Sequence, residues 1–194
     1  MARKQRIWIP GAYHHIYTRG NNRQIIFRDE IDMIEVFRLL EMIHIQYPIS
    51  ICCYCIMTNH YHFLLKSEAA SISKIMAIFN KRYTDYYNQK YNHCGHVFQQ
   101  RFNSSPILIP QDLLEVSKYI HRNPIHTKEP MVDKMEEYRY SSYLFYKNNQ
   151  KPAYSFINVE DPQRVFMCQV KEPPLIIAHS SSRSKKFPRR LLFS

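Results

Sequence analysis

The chain has 194 residues, 45% of them apolar and 14% aromatic, with only three Gly and a formal net charge of +11. That length supports one domain with a real core, and the composition excludes a wholly disordered chain. No apolar run approaches the roughly 20 residues of a membrane-spanning helix.

The excess of Lys and Arg suits a polyanionic partner, nucleic acid before an anionic membrane surface. Five Cys, odd in number and unevenly clustered, do not suggest a secreted disulfide framework. The N-terminal MARKQRIWIP is basic but lacks the apolar core of a signal peptide. The expected compartment is a reducing cytoplasm.

Residues 12–18 (AYHHIYT) alternate as a first strand. They run into Arg19-Gly20-Asn21-Asn22-Arg23, a polar turn with Gly and Asn where the chain must bend. This turn reads equally as a solvated connection or as a phosphate contact, since Arg forks and Asn amides suit phosphates and bases. Asp29 is placed to cap a helix, with Glu30 and Asp32 favourable in its first turn. Met33, Val36, Phe37, Leu40 and Ile43 recur at helical spacing, and Pro48 ends the helix near Tyr47.

A hairpin follows, with strands over residues 51–57 and 60–66 around the polar pair Thr58-Asn59. Strand side chains alternate faces with period two. His60 and His62 therefore share one face, and Tyr61 and Phe63 the other. Two imidazoles side by side can hold one metal ion and leave other positions open; read alone, they are also two ordinary hydrogen-bonded histidines. Cys52 and Cys55 form a CxxC, but in a regular strand residues three apart face opposite sides, so both sulfurs cannot reach one metal. No second CxxC completes a zinc site, and small buried side chains are the expected role.

Ser71 caps a second helix whose buried side is Ile72, Ile75, Met76, Phe79, Tyr83, Tyr86 and Tyr87. Its Tyr-rich end reads as core packing in preference to a base-stacking platform. Residues 95–102 (GHVFQQRF) form an aromatic and basic connector, and residues 104–109 (SSPILI) a fourth strand. Pro106 predicts an edge position or a bulge there. The order strand, helix, strand, strand, helix, strand is the ferredoxin-like βαββαβ pattern, an α+β antiparallel sheet with both helices on one face. RNA-recognition modules share it, and topology alone does not decide function.

A third helix begins at Pro110, which suits a first turn, and carries Asp112 and Glu115 in its N-terminal half. Leu113, Val116, Ser117 and Ile120 can face the sheet, and Asn123 before Pro124 stops the helix. Tyr119 and Asn123 lie four apart and share a face. Taken alone, they are a packed Tyr and a C-terminal capping Asn.

Together these motifs carry a family resemblance. His60-Tyr61-His62 resembles the His-hydrophobe-His signature of HUH endonucleases, and Tyr119 with Asn123 resembles their nucleophile helix. Arg19-Gly20-Asn21, Gly95-His96-x-Phe98-Gln99-x-Arg101-Phe102 and Tyr119-Ile120-His121-x-Asn123-Pro124 are similar, in order and spacing, to the REP-associated tyrosine transposases of the single-tyrosine superfamily. The likeness runs from about Tyr13 to Tyr143. Tyr61 departs from it, being bulkier than the expected aliphatic residue, but should face away from any metal.

The resemblance implies cleavage and rejoining of single-stranded, hairpin-bearing DNA through a 5′-phosphotyrosine. It implies Tyr119 as nucleophile, His60, His62 and Asn123 as metal ligands, and Mg²⁺ or Mn²⁺ as the cofactor. Arg19, Asn21, Asn22, Arg23, Arg101 and Arg122 become candidate DNA contacts. The group is expected to act as a monomer, in the cytoplasm and on the nucleoid. Composition and topology equally fit a non-catalytic nucleic-acid-binding protein, and a metal-dependent hydrolase without a covalent intermediate is a third reading. The expected domain spans residues 1–147. Residues 138–146 are aromatic and either pack on it or stack bases, and residues 148–194 form an irregular basic extension. Residues 180–194 read as a solubilising tail or as an electrostatic arm on DNA.

Overall fold

The computed structural model describes residues 6–160. Four strands, β1 (Tyr13–Arg19), β2 (Ile49–Ile56), β3 (His60–Ser67) and β4 (Asn103–Ile107), form one sheet in the order β2-β3-β1-β4. Every neighbouring pair is antiparallel. Helices α1 (Glu30–Gln46) and α2 (Ile72–Tyr91) follow β1 and β3, α3 (Pro110–Arg122) follows β4, and a short α4 (Tyr143–Asn148) comes after. This is the expected βαββαβ order with an added helix.

Local chemistry accounts for the helix ends. The Asp29 carboxylate accepts from Asp32 N, and Ser71 Oγ accepts from Lys74 N, so each side chain satisfies an orphan donor of the first turn. Helix α2 closes on Asn92 in the left-handed conformation (φ 48°), which Asn tolerates. Pro110 occupies the first turn of α3.

The sheet separates two cores. On one face Ile16, Tyr61, Phe63 and Leu65 pack with Val36, Leu40, Ile43, Ile75, Phe79 and Tyr83 from α1 and α2. On the other face Tyr13, Cys53, Cys55 and Leu64 pack with Leu113 and Ile120 of α3. The Tyr-rich end of α2 belongs to the first core. The hydroxyls of Tyr83 and Tyr87 donate to the carbonyls of Ile26 and Ile25, and that of Tyr86 donates to Asp32. Asp32 is fully buried; it also accepts from Lys90 Nζ, Tyr91 Oη and Arg28 N at 2.7–2.8 Å. A first-turn carboxylate is thus the anchor between α1 and the end of α2.

Three expectations change. First, β2 carries a bulge between Ile51 and Cys53. The extra residue resets the alternation, so Cys52 joins Cys53 and Cys55 in the α3-side core. All three are buried free thiols, small core residues as expected, though not for the period-two reason. Second, β4 ends at Ile107; Leu108 and Ile109 lie beyond it and are exposed. Pro106 does sit on an edge strand. Third, packing continues past Lys147. Phe156, Ile157 and Val159 are buried in the α1–α2 core, and Ile51 N donates to Phe156 O while Asn158 N donates to Ile51 O. Residues 140–142 cover the rest of the β2 edge through Ile56 N to Tyr140 O and Ser142 N to Tyr54 O, which blunts an exposed sheet edge. The aromatic stretch around them packs on the domain: Tyr138 Oη donates to Ile56 O and Tyr146 Oη to Cys52 O. The basic stretch 180–194 lies outside the described residues.

Candidate active site

The site begins with register. Tyr17 pairs with His62 and Arg19 with His60 across β1 and β3. By period two, His15, Tyr17 and Arg19 share the face of His60 and His62. This is the α3 side of the sheet, so the two motifs that sequence places on separate elements converge. The rings of His60 and His62 lie 5.1 Å apart, edge to face. The Tyr119 ring stands edge-on to His62 with centroids 5.6 Å apart, and is 6.0 Å from His15.

Asn123 completes the cluster. Its Nδ2 donates to the helix carbonyls of Tyr119 and Ile120, and its side chain also hydrogen-bonds the His60 ring and the Tyr119 hydroxyl. The C-terminal cap of α3 is therefore part of the site, and its capping role does not exclude a second one.

The imidazoles are held neutral. Burial lowers the His60 pKa to about 4, with the Arg19 charge acting in the same direction and the Asn123 hydrogen bond opposing it. His15 is likewise lowered to about 4 by burial. His62 is lowered strongly by burial, with His15, His60 and Arg19 adding to the shift. Neutral imidazoles keep a lone pair for a ligand. Burial and the neighbouring Tyr17 raise the Tyr119 pKa, while Arg19 and the Asn123 hydrogen bond pull it back.

The turn after β1 frames this cluster. Gly20 N donates to Asn59 O, Asn21 N donates to Val97 O, and Gln99 N donates to Arg19 O. Gly20 is needed for close approach: a Cβ there would sit 2.4 Å from Gln24 O and 2.8 Å from Ile26 Cγ2. Asn22 and Arg23 both have positive φ (48° and 58°), and Asn21, Asn22 and Arg23 are exposed. Arg101 is also exposed, on a groove of about 610 Å³ between α2 and the connector that Lys81 and His96 also line. Arg122 is exposed at the end of α3. Of the four arginines named from sequence, Arg19 is the one whose charge acts on the histidines and Tyr119. The connector's apolar residues are structural: Val97 and Phe102 are buried, and Phe98 packs on Tyr61 and Tyr83.

A protein-family model described as "Transposase IS200 like" matches residues 9–123, more than half of the chain and all the residues of this cluster. The chain belongs to the IS200-like transposase family. No curated protein matches its sequence. Among solved structures, a REP-associated tyrosine transposase bound to a REP hairpin superposes with a TM-score of 0.63 at 18% identity, covering 80% of this chain and 90% of the other. A candidate transposase from Deinococcus radiodurans gives a TM-score of 0.44 at 14% identity, covering 62% of this chain and 97% of the other. The first likeness shows the fold, and family membership makes this a DNA-acting transposase.

Three residues of this cluster were not singled out from sequence. His15 Nε2 lies 3.0 Å from His62 Nδ1. Tyr17 stacks on the His62 ring at 5.6 Å. Asn59 Oδ1 lies 2.6 Å from His60 Nδ1, and its Nδ2 donates to Arg23 O. The alternation of β1 was the available signal for the first two, because it sets Tyr13, His15, Tyr17 and Arg19 on one face. Among the described residues no group of three or more His, Cys, Asp or Glu side chains is arranged to hold a metal. Also among the described residues, no helix is long and apolar enough to cross a membrane.

Proposed function

We propose that this transposase cuts and rejoins single-stranded DNA at hairpins, with Tyr119 as nucleophile and a divalent ion, Mg²⁺ or Mn²⁺, held by His60, His62 and Asn123. One observation carries the reading: α3 sets the Tyr119 phenol and the Asn123 carboxamide, one turn apart, against the histidine face of β3. The solved relative captured on a REP hairpin motivates the hairpin substrate. The protein would act as a monomer, in the cytoplasm on chromosomal DNA.

The donor set fits such an ion. Nδ1 of His60 faces Asn59 and Nδ1 of His62 faces His15, so the Nε2 atoms are the ones that would ligate, and an ion would replace the hydrogen bond between the His60 ring and Asn123. The Asn123 amide nitrogen is tied to helix carbonyls, which leaves Oδ1 as the ligating atom. Two imidazoles and one carbonyl oxygen suit Mn²⁺ or Mg²⁺ and leave room for phosphate oxygens. When bound, the ion offsets the charge developing on the scissile phosphate and polarises it.

The protein groups account for the rest. Tyr119 Oη attacks phosphorus; the new P–O bond forms on the 5′ side, the P–O3′ bond breaks, and a 3′-hydroxyl leaves. The phenol gives up its proton to solvent as it attacks and the departing 3′-oxygen takes one up, so the step is proton-neutral; the Arg19 charge and the Asn123 hydrogen bond both favour the phenolate. The phosphotyrosine conserves the bond energy, so attack by a 3′-hydroxyl reverses the step and rejoins DNA. Arg19, Asn21, Asn22 and Arg23 form the near contact to the DNA. Arg101, on the groove beside α2, and Arg122, exposed at the end of α3, are further phosphate contacts.

The test is a denaturing gel of the full chain with end-labelled hairpin DNA and Mn²⁺. The expected result is a slow-migrating covalent adduct on the 5′ side of the cut and a free 3′-hydroxyl. DNA binding without an adduct on any hairpin of a broad library would instead make the protein a binding module.

A further inference from the structure

We infer that His15 is a positioning residue that fixes the tautomer of His62, accepting its Nδ1–H and so turning the Nε2 lone pair toward the proposed ion. The inference rests on the metal reading above. The geometry is specific. His15 Nε2 and His62 Nδ1 are 3.0 Å apart, and the ring centroids are 5.3 Å apart with planes within 19°, as an in-plane N–H···N bond requires. Both residues are almost fully buried, at 8% and 3% exposure, so water cannot readily substitute as the partner.

Proton counting gives the direction. A neutral imidazole carries one N–H and one lone pair. Two neutral rings joined through one nitrogen each share a single proton. If His15 donates it, His62 must carry its own proton on Nε2, and that nitrogen cannot ligate. If His62 donates, Nε2 keeps its lone pair, and His15 takes the Nδ1–H form. Ligating histidines commonly donate their other N–H to a carbonyl or carboxylate, and that partner fixes the ring. Here the acceptor is a second imidazole. Tyr17 stacks on His62 at 5.6 Å, which hinders any escape by ring rotation. On His60 the equivalent acceptor is Asn59 Oδ1, 2.6 Å from Nδ1. The two ligands would thus be oriented by different residue types on different loops and strands.

The test uses the full chain and reads the tautomer directly. Two-bond ¹⁵N–¹H correlation spectra of the metal-free protein should show His62 with its proton on Nδ1. His15→Phe keeps a flat ring but removes the acceptor; His62 should then shift toward the Nε2–H form, and Mn²⁺ affinity should fall roughly 10–100-fold. His15→Gln restores an acceptor oxygen near the same place and should recover the Nδ1–H form and most of the affinity. The inference is overturned if His62 in the parent carries its proton on Nε2. An unchanged tautomer and affinity in His15→Phe would overturn it as well. Should His15→Phe not fold, the parent spectrum and His15→Gln decide. A parent that binds no Mn²⁺ would refute the metal reading separately, because the tautomer is measured without metal.

Discussion

The Tyr119 ring meets the His62 ring edge-on, with centroids 5.6 Å apart and planes at 89°. One ring belongs to a strand near the middle of the sheet and the other to a helix that follows the last strand. α3 is seated there by its other face. His121 Nε2 lies 2.8 Å from Ser142 Oγ and 3.2 Å from Cys53 Sγ, and Ile120 and Leu113 are buried on the sheet. Tyr119 reaches the histidines because the residues beside it hold the helix.

Tyr119→Phe deletes one oxygen from a half-buried ring and leaves the packing. Its stability cost should be on the order of 1 kcal/mol or less, read from a urea titration. Metal and hairpin affinity should survive, while cleavage and adduct vanish together. Tyr17→Phe is the control, since Tyr17 is the second phenol on the same face, and it should retain the adduct. Cleavage persisting in Tyr119→Phe would indicate an attacking water.

His60→Ala and His62→Ala should both abolish Mn²⁺ binding by calorimetry, yet differ in stability. His60 lies half-exposed at the rim. His62 is buried, and its loss strands the nitrogen of His15. An unpartnered buried group costs roughly 1–3 kcal/mol, so His62→Ala should be the less stable variant. Equal denaturant midpoints would contradict this burial argument.

Stability should fall with pH through the histidines. His15, His60 and His121 are each lowered to about 4 by burial, below the ordinary value of about 6.5. Between those values the unfolded chain binds a proton that the folded chain does not. Their contribution is complete above about 6.5 and is withdrawn as pH drops toward 4, by roughly 1.4 kcal/mol per unit for each group. Urea midpoints measured from pH 7.5 to 4.5 should drop steeply below 6.5. A flat profile would mean that these rings are charged in the folded state.

Asp32→Ala should be the most destabilising of the variants considered. It removes a fully buried carboxylate that partners Lys90, Tyr86, Tyr91 and Arg28 N. Lys90 keeps its pair with Asp29, but the buried donors left without Asp32 cost roughly 1–3 kcal/mol each. The cluster lies among α1 and α2, across the sheet from Tyr119. Wherever the variant remains folded, Mn²⁺ affinity should match the parent; a parallel loss would show that the two faces are coupled.

Arg101→Ala and Arg122→Ala each remove an exposed cation. If each contacts a phosphate, hairpin affinity falls for every sequence, and the slope of log affinity against log salt drops by roughly 0.7 per contact. An unchanged slope would remove that arginine from the DNA path.

The local features were legible in the order of residues alone, because short-range periodicity and capping chemistry need no knowledge of distant chain. Period two set His60 beside His62, a four-residue step set Tyr119 with Asn123, Asp29 and Ser71 marked helix starts, and Pro106 marked an edge strand. Only the tertiary structure decided what depends on contacts between remote segments. It chose β1 as the neighbour of β3, which brings His15 to His62, 47 positions apart in the chain. It inserted a bulge at Cys52, whose cost and benefit lie in pairing with β3 and in the Phe156 and Asn158 backbone bonded to Ile51 at the outer edge. It extended the core past Lys147 because the β2 edge had to be covered, and it put Arg101 on a groove beside α2 instead of at the histidines. Register, edge protection and helix seating are settled by hydrogen bonds and packing between segments far apart in the chain, and no local pattern of residue types encodes those partners.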